Sequence, residues 1–332
     1  MNTITHSSSK AFKDCRRKYY YSYILGIKPK IEPVYFTTGS AVHLGLKSHY
    51  QGKPFKSIKE EIDQYFQNHA PKEFEDLKTH QKWVEAQSLS IGMIQNYITT
   101  YQDEGFKVLA IEKPFKVKIP GVTDYYLAGV IDMLIEDGNG NIWIVEHKTT
   151  SGIDNNYIRK LSLDAQSINY LIGYSMATGK KIAGVLYNVL LKKIPVIPKP
   201  LKSGKFSDAL TANTWVTVDS FLEACRVYKK DPNDYAEHIE WIRSNQRDFF
   251  YREWLPFPRE ILDEWLMELK HVISDINSCK TEKYMVKYYK NTSSCVNFGT
   301  CQYFDICIAP DQEAVIEASY VKRENKMDEL DK

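Results

Sequence analysis

The spacing of apolar residues changes part-way along the chain, from the period of a helix to that of a strand. Residues 10–24 and 55–104 place apolar and aromatic side chains at helical spacing, which predicts helices over both stretches. A serine of the run at 7–9 is expected to cap the first helix. Gly39 and Ser40 are expected to open another helix, which carries His43. The pattern therefore predicts a helical lobe over residues 1–105.

From about residue 107, segments rich in β-branched and apolar residues alternate with turn signals. An Asp-Gly-Asn-Gly run at 137–140 predicts a hairpin, and an apolar stripe predicts a helix over 161–178. Residues 106–200 are therefore the predicted α/β core. Its predicted strands are Val108–Lys118, Tyr125–Glu136, Asn141–Lys148 and Ile182–Leu191.

The remaining residues fall into two predicted segments. Prolines at 195, 198 and 200 mark an exit from the core. Residues 201–312 are predicted to form a mixed extension with a helix over 259–276. Residues 313–332 are highly charged, and we expect them to form a frayed tail.

Composition limits the function classes without choosing one. Of the 332 residues, 43% are hydrophobic and 26% are charged, an ordinary balance for a globular chain. A net charge of +2 creates no global basic field. Attraction to nucleic acid would need local clusters such as Arg16, Arg17 and Lys18, which can equally be a solvated helix face. With no signal-like or membrane-spanning run, we expect a reducing cytoplasmic location and no membrane partner. Six cysteines there favour metal or cluster binding over disulfides.

Two predicted strands carry charged residues among apolar ones. Asp132 lies in the apolar stretch 129–135, and Glu146 and Lys148 on the next strand share one face because they are two positions apart. Ionised carboxylates are costly there unless they are paired or bound to metal. Two convergent carboxylates suit Mg²⁺ or Mn²⁺, and Lys148 can position water or stabilise charge on a phosphate. The plainer alternative is a structural Glu146–Lys148 ion pair with Asp132 in a turn.

The length of the hairpin loop decides whether these three residues share a site. Opposite residues of an antiparallel pair lie on one face, so Asp132 faces Glu146 only if the loop has an odd number of residues or contains a bulge. A two-residue loop at Gly138-Asn139 would instead pair Asp132 with Val145 and turn Glu146 to the other face. The glycines permit either geometry.

Further motifs follow one another along the chain. They are Gly39-x-x-x-His43, Glu112 in the first core strand, Gly129-x-x-Asp132, Glu146-x-Lys148, and a helix with Gln166 and Tyr170. In this order they resemble the PD-(D/E)xK nuclease superfamily, and more narrowly its RecB-type branch, which includes phage exonucleases and the CRISPR spacer-acquisition nucleases. The resemblance covers the chain from Cys15 to Cys307. It implies an α/β fold with a restriction-endonuclease-like core, in which a mixed central sheet has flanking helices.

The resemblance assigns the metal ligands and the catalytic group. His43, Asp132 and Glu146 would bind Mg²⁺ or Mn²⁺, with help from the backbone carbonyl of His147. Lys148 would be the catalytic lysine. The chain departs from the family name in having isoleucine rather than proline before the aspartate.

Three more positions are candidates by the same resemblance. Gln166 and Tyr170, one helical turn apart on one face, would orient Lys148 or touch a DNA phosphate. Glu112 is a further candidate, although a strand-edge charge explains this residue equally well.

Four cysteines have a spacing that suits a bound cluster. Cys295-x5-Cys301-x5-Cys307 lies late in the chain and Cys15 lies in the first predicted helix, so four thiols can bind an iron–sulfur cluster or Zn²⁺. In part of the resembled family, one early and three late cysteines hold a [4Fe-4S] cluster that ties the chain ends together. The first late gap there is usually shorter, C-x2-C, and buried free cysteines are the alternative. We expect a structural [4Fe-4S] staple at the C-terminal end.

Together these features predict a metal-dependent deoxyribonuclease that hydrolyses phosphodiester bonds. We expect an exonuclease that acts on single-stranded DNA or duplex ends in DNA recombination, repair or phage DNA processing. The chain lacks a Gly-x4-Gly-Lys-Ser/Thr motif, so a helicase or recombination protein is the expected partner where unwinding is needed. The alternatives are a non-catalytic DNA-binding or scaffold protein that keeps the fold, and a zinc protein that binds partners through its late cysteines.

Overall fold

A mixed sheet of six strands lies at the centre of the computed structural model, which describes residues 2–30, 34–71, 73–74, 76–207, 215–245, 247–280, 287–297 and 299–323. Within those residues, all strands except β2 and β8 belong to this sheet, and β2 and β8 form a separate antiparallel pair. The expected mixed central sheet is therefore confirmed. The strands are β1 (Asn2–Ile4), β2 (Ile27–Pro29), β3 (Lys107–Lys118), β4 (Tyr125–Glu136), β5 (Ile142–Thr150), β6 (Gly184–Leu191), β7 (Phe250–Leu255) and β8 (Tyr320–Lys322).

Helices flank the sheet on both faces, as predicted. The helices of the described residues are α1 (His6–Asp14), α2 (Arg16–Tyr19), α3 (Val34–Tyr50), α4 (Phe55–His69), α5 (Leu77–Thr100), α6 (Asn155–Leu161), α7 (Ala165–Thr178), α8 (Val218–Val227), α9 (Ala236–Asn245), α10 (Arg259–Lys280), α11 (Phe304–Ile308) and α12 (Gln312–Ser319). α7 and α10 pack with Leu134 and Ile144 on one face. Tyr50 of α3 packs with Met133 and Val145 on the other. Successive strand residues thus point into two cores, as the period of a strand requires.

Strand β4 organises the sheet, because three strands pair with it. β3 runs antiparallel along one of its edges. On the other edge, β1 pairs in parallel with residues 125–127, and β5 pairs antiparallel with residues 133–136. Among the described residues, positions 128–132 of β4 have no ladder partner on that edge. β5 leaves β4 there and continues in parallel with β6, which opens the sheet beside Asp132.

The first predicted helix is broken in the structure, so the expectation of one helix over 10–24 is wrong. α1 and α2 are followed by a π-helical turn over Tyr20–Ile24. The break falls at Cys15, whose backbone is extended (φ −164°, ψ 117°). The N-cap is Thr5 rather than one of the following serines, and it forms a capping box with Ser8. The apolar stripe runs through the break without marking it, which is why the pattern predicted one helix.

The C-terminal segment is folded through residue 322, so the frayed tail expected from residue 313 is wrong for its described part. Val315 and Ile316 of α12 pack into a small core with Tyr303, and Tyr320 of β8 lies in the same core. The high charge of this segment obscured these apolar positions. Pairing of β8 with β2 joins it to the N-terminal region. Residues 324–332 lie outside the described residues.

Strands from outside the predicted 106–200 core complete the sheet. β1 comes from the predicted helical lobe. β7, which the sequence pattern did not predict, comes from the predicted extension and pairs antiparallel with β6. The division at residues 105, 200 and 312 stays a prediction. No helix of the described chain has the length and apolar character needed to cross a membrane.

Gly184, at the start of β6, is predicted to tolerate no side chain. A Cβ atom there would lie 2.2 Å from the backbone carbonyl oxygen of Leu255 and 2.7 Å from a ring carbon of Trp143. Because a paired strand backbone yields less easily than a side chain, we expect Gly184→Ala to lower the free energy of unfolding by about 1–3 kcal/mol. Urea titration followed by circular dichroism measures the loss. Gly152→Ala is the control, since a Cβ at Gly152 meets nothing within 4 Å, and equal losses for the two variants would contradict the prediction.

Candidate active site

Asp132 and Glu146 lie opposite each other where β5 leaves β4. The ladder pairs Met133 with Val145, and the same register carried one step further places Asp132 across from Glu146. The connecting loop spans residues 137–141, which is an odd number of residues. The structure therefore meets the condition that the sequence set for a shared site.

One side chain closes this loop at its observed length. The Asp137 carboxylate accepts hydrogen bonds from the backbone N–H groups of Asn141 (2.8 Å) and Asn139 (2.9 Å) and from the indole of Trp143 (3.0 Å). Hydrogen bonds from the Asn141 side chain and backbone contribute most to lowering the pKa of Asp137 to about 2. These contacts select the longer loop over a two-residue hairpin turn, and so they fix the register of β5.

Asp132 is held by both histidines of the candidate site. Its Oδ2 accepts the backbone N–H of His147 at 2.9 Å and lies 3.5 Å from Nδ1 of His43. Burial opposes ionisation of Asp132, but the charge and hydrogen bond of His43, with the contribution of His147, lower its pKa to about 2. The carboxylate is therefore ionised at neutral pH. The backbone N–H of His147 makes the contact here, and the role expected for its carbonyl stays a prediction.

Glu146 is an ionisable side chain inside the core, with 1% of its surface exposed. Its Oε1 accepts from Nζ of Lys148 at 2.9 Å, whereas its Oε2 has no hydrogen-bond partner among the described residues. Burial raises the pKa of Glu146 to about 7, against the attraction of Lys148 and with added repulsion from Asp132. A buried carboxylate oxygen without a partner is costly. A cation at Oε2 would relieve that cost.

The Lys148 ammonium lies among three oxygen acceptors. Besides Glu146, it contacts Oδ2 of Asp164 at 3.3 Å and Oε1 of Gln166 at 2.9 Å. Burial opposes its charge, but Glu146 and Asp164 raise the pKa of Lys148 above its ordinary value. Gln166 in turn donates from Nε2 to the Tyr170 hydroxyl at 3.1 Å. The structure thus brings Gln166 and Tyr170 together beside the lysine.

Asp164 is a site residue that the sequence pattern did not predict. The predicted helix began at Leu161, but in the structure Leu161 ends α6 and Asp164 immediately precedes α7. Asp164 also accepts from the Ser167 hydroxyl at 2.7 Å. An aspartate directly before an apolar stripe is typical of a helix start, and this signal could have identified Asp164.

Glu112 and His43 line a small pocket together with Asp132 and His147. The neighbouring pairs of the β3–β4 ladder place Glu112 across from Asp132. Its backbone has φ 50°, a left-handed conformation that is uncommon for a residue other than glycine. Strain of this kind clusters at functional sites. Glu112 is therefore located where a further ligand would be useful, although its side chain is exposed.

Comparison with known proteins shows which family has this arrangement. A family model described as the PD-(D/E)XK nuclease superfamily matches residues 3–308. The chain belongs to the PD-(D/E)XK nuclease superfamily. Membership indicates a nuclease, which hydrolyses phosphodiester bonds, and nucleases of this superfamily typically use divalent metal ions such as Mg²⁺. No curated protein matches the chain.

The donors at the opening between β4 and β5 of this PD-(D/E)XK protein suit a divalent metal ion. Asp132 and Glu146 offer hard carboxylate oxygens, and the buried Oε2 of Glu146 lacks a partner within the described residues. Among all the residues that the structure describes, no group of three His, Cys, Asp or Glu side chains lies close enough to hold one ion. The donor chemistry therefore fits an ion, and binding would draw these side chains closer.

The four cysteines of the predicted cluster lie in the region where the two ends of the chain meet, but among the described residues no three of them are close enough to hold one ion together. Sγ of Cys15 accepts the backbone N–H of Asn291 at 3.4 Å, and the N–H of Cys301 donates to the carbonyl of Cys295 at 2.8 Å. Burial raises the pKa of Cys301, and Cys295 and Cys15 raise it further. Burial also raises the pKa of Cys307, with a contribution from Cys301. All four are free thiols, a donor set that suits an iron–sulfur or zinc site.

A polar network links His147 to Arg252 on β7. Nδ2 of Asn188 lies 2.9 Å from Nδ1 of His147 and donates to the Tyr97 hydroxyl at 3.0 Å. Arg252 donates to the same hydroxyl at 2.6 Å and pairs with Glu104. Burial lowers the pKa of His147 to about 4, so the ring is neutral and its Nδ1 accepts from Asn188, which leaves the proton on Nε2. The network therefore orients His147, and local sequence patterns did not predict it.

Arg252→Met is predicted to destabilise the protein by leaving the Glu104 carboxylate unpaired. The Arg252 and Glu104 side chains are only 17% and 15% exposed. Removing one partner of a buried pair costs about 3–5 kcal/mol, and we expect a loss near the lower value because some solvent reaches this pair. Adding Glu104→Gln removes the unpaired charge and should recover part of the loss. Urea unfolding of the single and double variants measures both effects, and a double variant no more stable than Arg252→Met would contradict the explanation.

Proposed function

We propose that the chain is a metal-dependent DNA exonuclease of the RecB-type branch of its superfamily. The observation that carries the proposal is the buried Glu146, which lies across from Asp132 and pairs with Lys148 while one of its oxygens lacks a partner among the described residues. A scaffold that only bound DNA would gain nothing from this arrangement, because burying charges costs folding free energy. The preference for strand ends rests on the motif set from Gly39 to Tyr170.

Asp132, Glu146 and His43 are the proposed ligands of Mg²⁺ or Mn²⁺. The carbonyl of His147 and the carboxylate of Glu112 are further candidates. When bound, the ion supplies positive charge that polarises the phosphate and makes a nearby water more acidic. His43 is suited to this place because it already lies against Asp132 at the rim of the pocket.

The side chains around the ion have separate proposed tasks. Lys148 keeps its proton because Glu146 and Asp164 stabilise the charge, so it acts as a fixed positive charge rather than as a base. It positions the attacking water and offsets the negative charge that develops on the scissile phosphate. Gln166 accepts from Nζ and donates to Tyr170, which keeps the lysine in one orientation.

A [4Fe-4S] cluster bound by Cys15, Cys295, Cys301 and Cys307 is proposed as a structural element, with Zn²⁺ as the alternative. Cys15 lies at the break between α1 and α2, whereas the other three lie beyond residue 290. A cluster at this place would close a loop of nearly the whole chain, and its binding free energy would add to that of folding.

The proposed substrate is DNA, as a single strand or at a duplex end. A helicase or recombination protein is the proposed partner, in a pathway of DNA recombination, repair or phage DNA processing within the cytoplasm. The test is digestion of end-labelled single- and double-stranded DNA, linear and circular, with and without Mn²⁺. We expect metal-dependent shortening of linear DNA, and cleavage of circular DNA would contradict an exonuclease.

Lys148→Ala is predicted to lower the cleavage rate by at least about 100-fold, the usual loss when one stabilising charge or donor is removed from a transition state. Binding of DNA should change much less, because Lys148 acts on one phosphate. Rates with Mn²⁺ and binding without metal measure the two effects, and circular dichroism checks that the variant folds. Lys180→Ala, at an exposed position after α7, is the control. Undiminished cleavage by Lys148→Ala would refute the mechanism.

Cys301→Ser is predicted to abolish cluster binding. The purified protein should be brown, with matching iron and sulfide contents, whereas the variant should lose both and unfold at a lower temperature. Cys225→Ala is the control, because Cys225 is buried in a different small core with Phe221 and Tyr235. A colourless wild-type protein that contains zinc would support the alternative metal.

A further inference from the structure

A second cavity lies beside Lys148, on the side of α1. Its volume is about 450 Å³, within the ~300–1,000 Å³ range of small-ligand sites. α1, α6, the start of α7 and α10 form its walls, and Lys148 is the residue of β5 that reaches it. Asp132, His43 and His147 line the separate small pocket instead. Lys148 thus connects the proposed reaction centre to a space that the proposed mechanism does not use.

The charges around this cavity favour an anion. Four lysines and two aspartates line it, which leaves an excess of two positive charges. Lys10 pairs with Asp14 and Lys148 pairs with Asp164, whereas Lys13 and Lys160 have no carboxylate partner among the described residues. Both of these lysines are exposed, so a phosphate can reach them without rearrangement of the core. The charged lining residues are Lys10, Lys13, Lys148, Lys160, Asp14 and Asp164.

The rest of the lining suits a flat ring. Trp265 of α10 is held by a hydrogen bond from its Nε1 to Oδ1 of Asn169 at 3.2 Å, and Nζ of Lys13 lies 4.3 Å from the centre of its ring. Tyr157 of α6 and the 73% exposed Leu163 add aromatic and apolar surface. Aromatic side chains beside lysines are the combination that binds a single-stranded nucleotide, since the base stacks and the phosphate pairs.

A neutral polar group also lies in the cavity. Burial lowers the pKa of His6 to about 4 against the attraction of Asp164, and Lys148 lowers it further. The imidazole is therefore uncharged at neutral pH, with one nitrogen that donates and one that accepts. Such a group can hydrogen-bond to the edge of a base without repelling a nearby lysine.

We propose that this cavity binds one nucleotide of a DNA single strand, next to the phosphodiester bond that lies at Lys148. The phosphate contacts Lys13 and Lys160, and the base lies against Trp265. The position of a scissile bond beside this nucleotide rests on the proposed function. Binding of the nucleotide in the cavity does not. It identifies the substrate at this position as an unpaired strand, because a paired base would not be free to enter.

The first test measures binding of thymidine 5′-monophosphate to the full chain by calorimetry in EDTA, where no cleavage occurs. Thymidine and inorganic phosphate serve as ligands that lack one half of the nucleotide. We expect the nucleotide to bind at least about tenfold more tightly than either, and Lys13→Ala and Lys160→Ala each to weaken it about tenfold. Lys180→Ala should leave it unchanged. No measurable binding, or binding that both cavity variants leave intact, would overturn the proposal.

The second test uses a labelled single strand with Mn²⁺. Lys13→Ala and Lys160→Ala should raise KM about tenfold each and lower kcat less, because they hold the strand without touching the reacting phosphate. Trp265→Leu should raise KM as well, while an unchanged KM in all three variants would contradict the site. A chain that binds the nucleotide through Lys13 and Lys160 but cleaves no DNA would refute the proposed function and leave the cavity's role standing. A chain that cleaves normally while the cavity variants change neither binding nor KM would refute the cavity's role alone.

Discussion

Burial of the Glu146–Lys148 ion pair is the constraint on which the rest of the candidate site depends. Removing a carboxylate and an ammonium from water costs several kcal/mol per ion unless each finds partners. The Lys148 ammonium contacts three oxygen atoms. Oε1 of Glu146 accepts a hydrogen bond, whereas its Oε2 has no partner among the described residues. Two groups can relieve this oxygen. One is a proton, which the pKa of Glu146, raised to about 7 by burial, allows. The other is a divalent cation, for which Asp132 across the opening offers a second carboxylate and on which the proposed mechanism depends.

The opening itself is a consequence of strand topology. β5 pairs with β4 only over residues 133–136 of β4 and then follows β6. Backbone groups lose ladder partners where two strands separate, and Asp132 satisfies one of them by accepting the N–H of His147. The divergence therefore leaves this N–H free of the β4 ladder, and the N–H anchors Asp132 in place.

Strands β3 to β6 and the grouping of Asp132, Glu146 and Lys148 were predictable because both depend on local patterns. The spacing of apolar residues indicated β3 to β6 and α7. It left an odd and a two-residue hairpin loop open, and the hydrogen bonds of Asp137 select the odd loop. Gly129 of the Gly-x-x-Asp motif has a reason that is not local, since a Cβ there would lie 2.7 Å from the ring of Tyr170 on α7. The pairing of Arg252 with Glu104 joins residues far apart along the chain, and no local period reports such a contact. The apolar stripe continues through the break at Cys15, so the sequence pattern did not predict the break either.

α1 connects features that the sequence presents separately. It follows β1 of the central sheet, it carries Lys13 on the cavity wall, and it ends at the break where Cys15 lies. The late segment holds that end, because Asn291 and Ser294 both donate to the carbonyl of Asp14 at 2.8 Å. Lys13 lies in the last turn of α1, next to this end, and its Nζ lies over the ring of Trp265. The proposed cluster would therefore do more than close the chain, since the wall that it fixes is the one against which the proposed nucleotide binds.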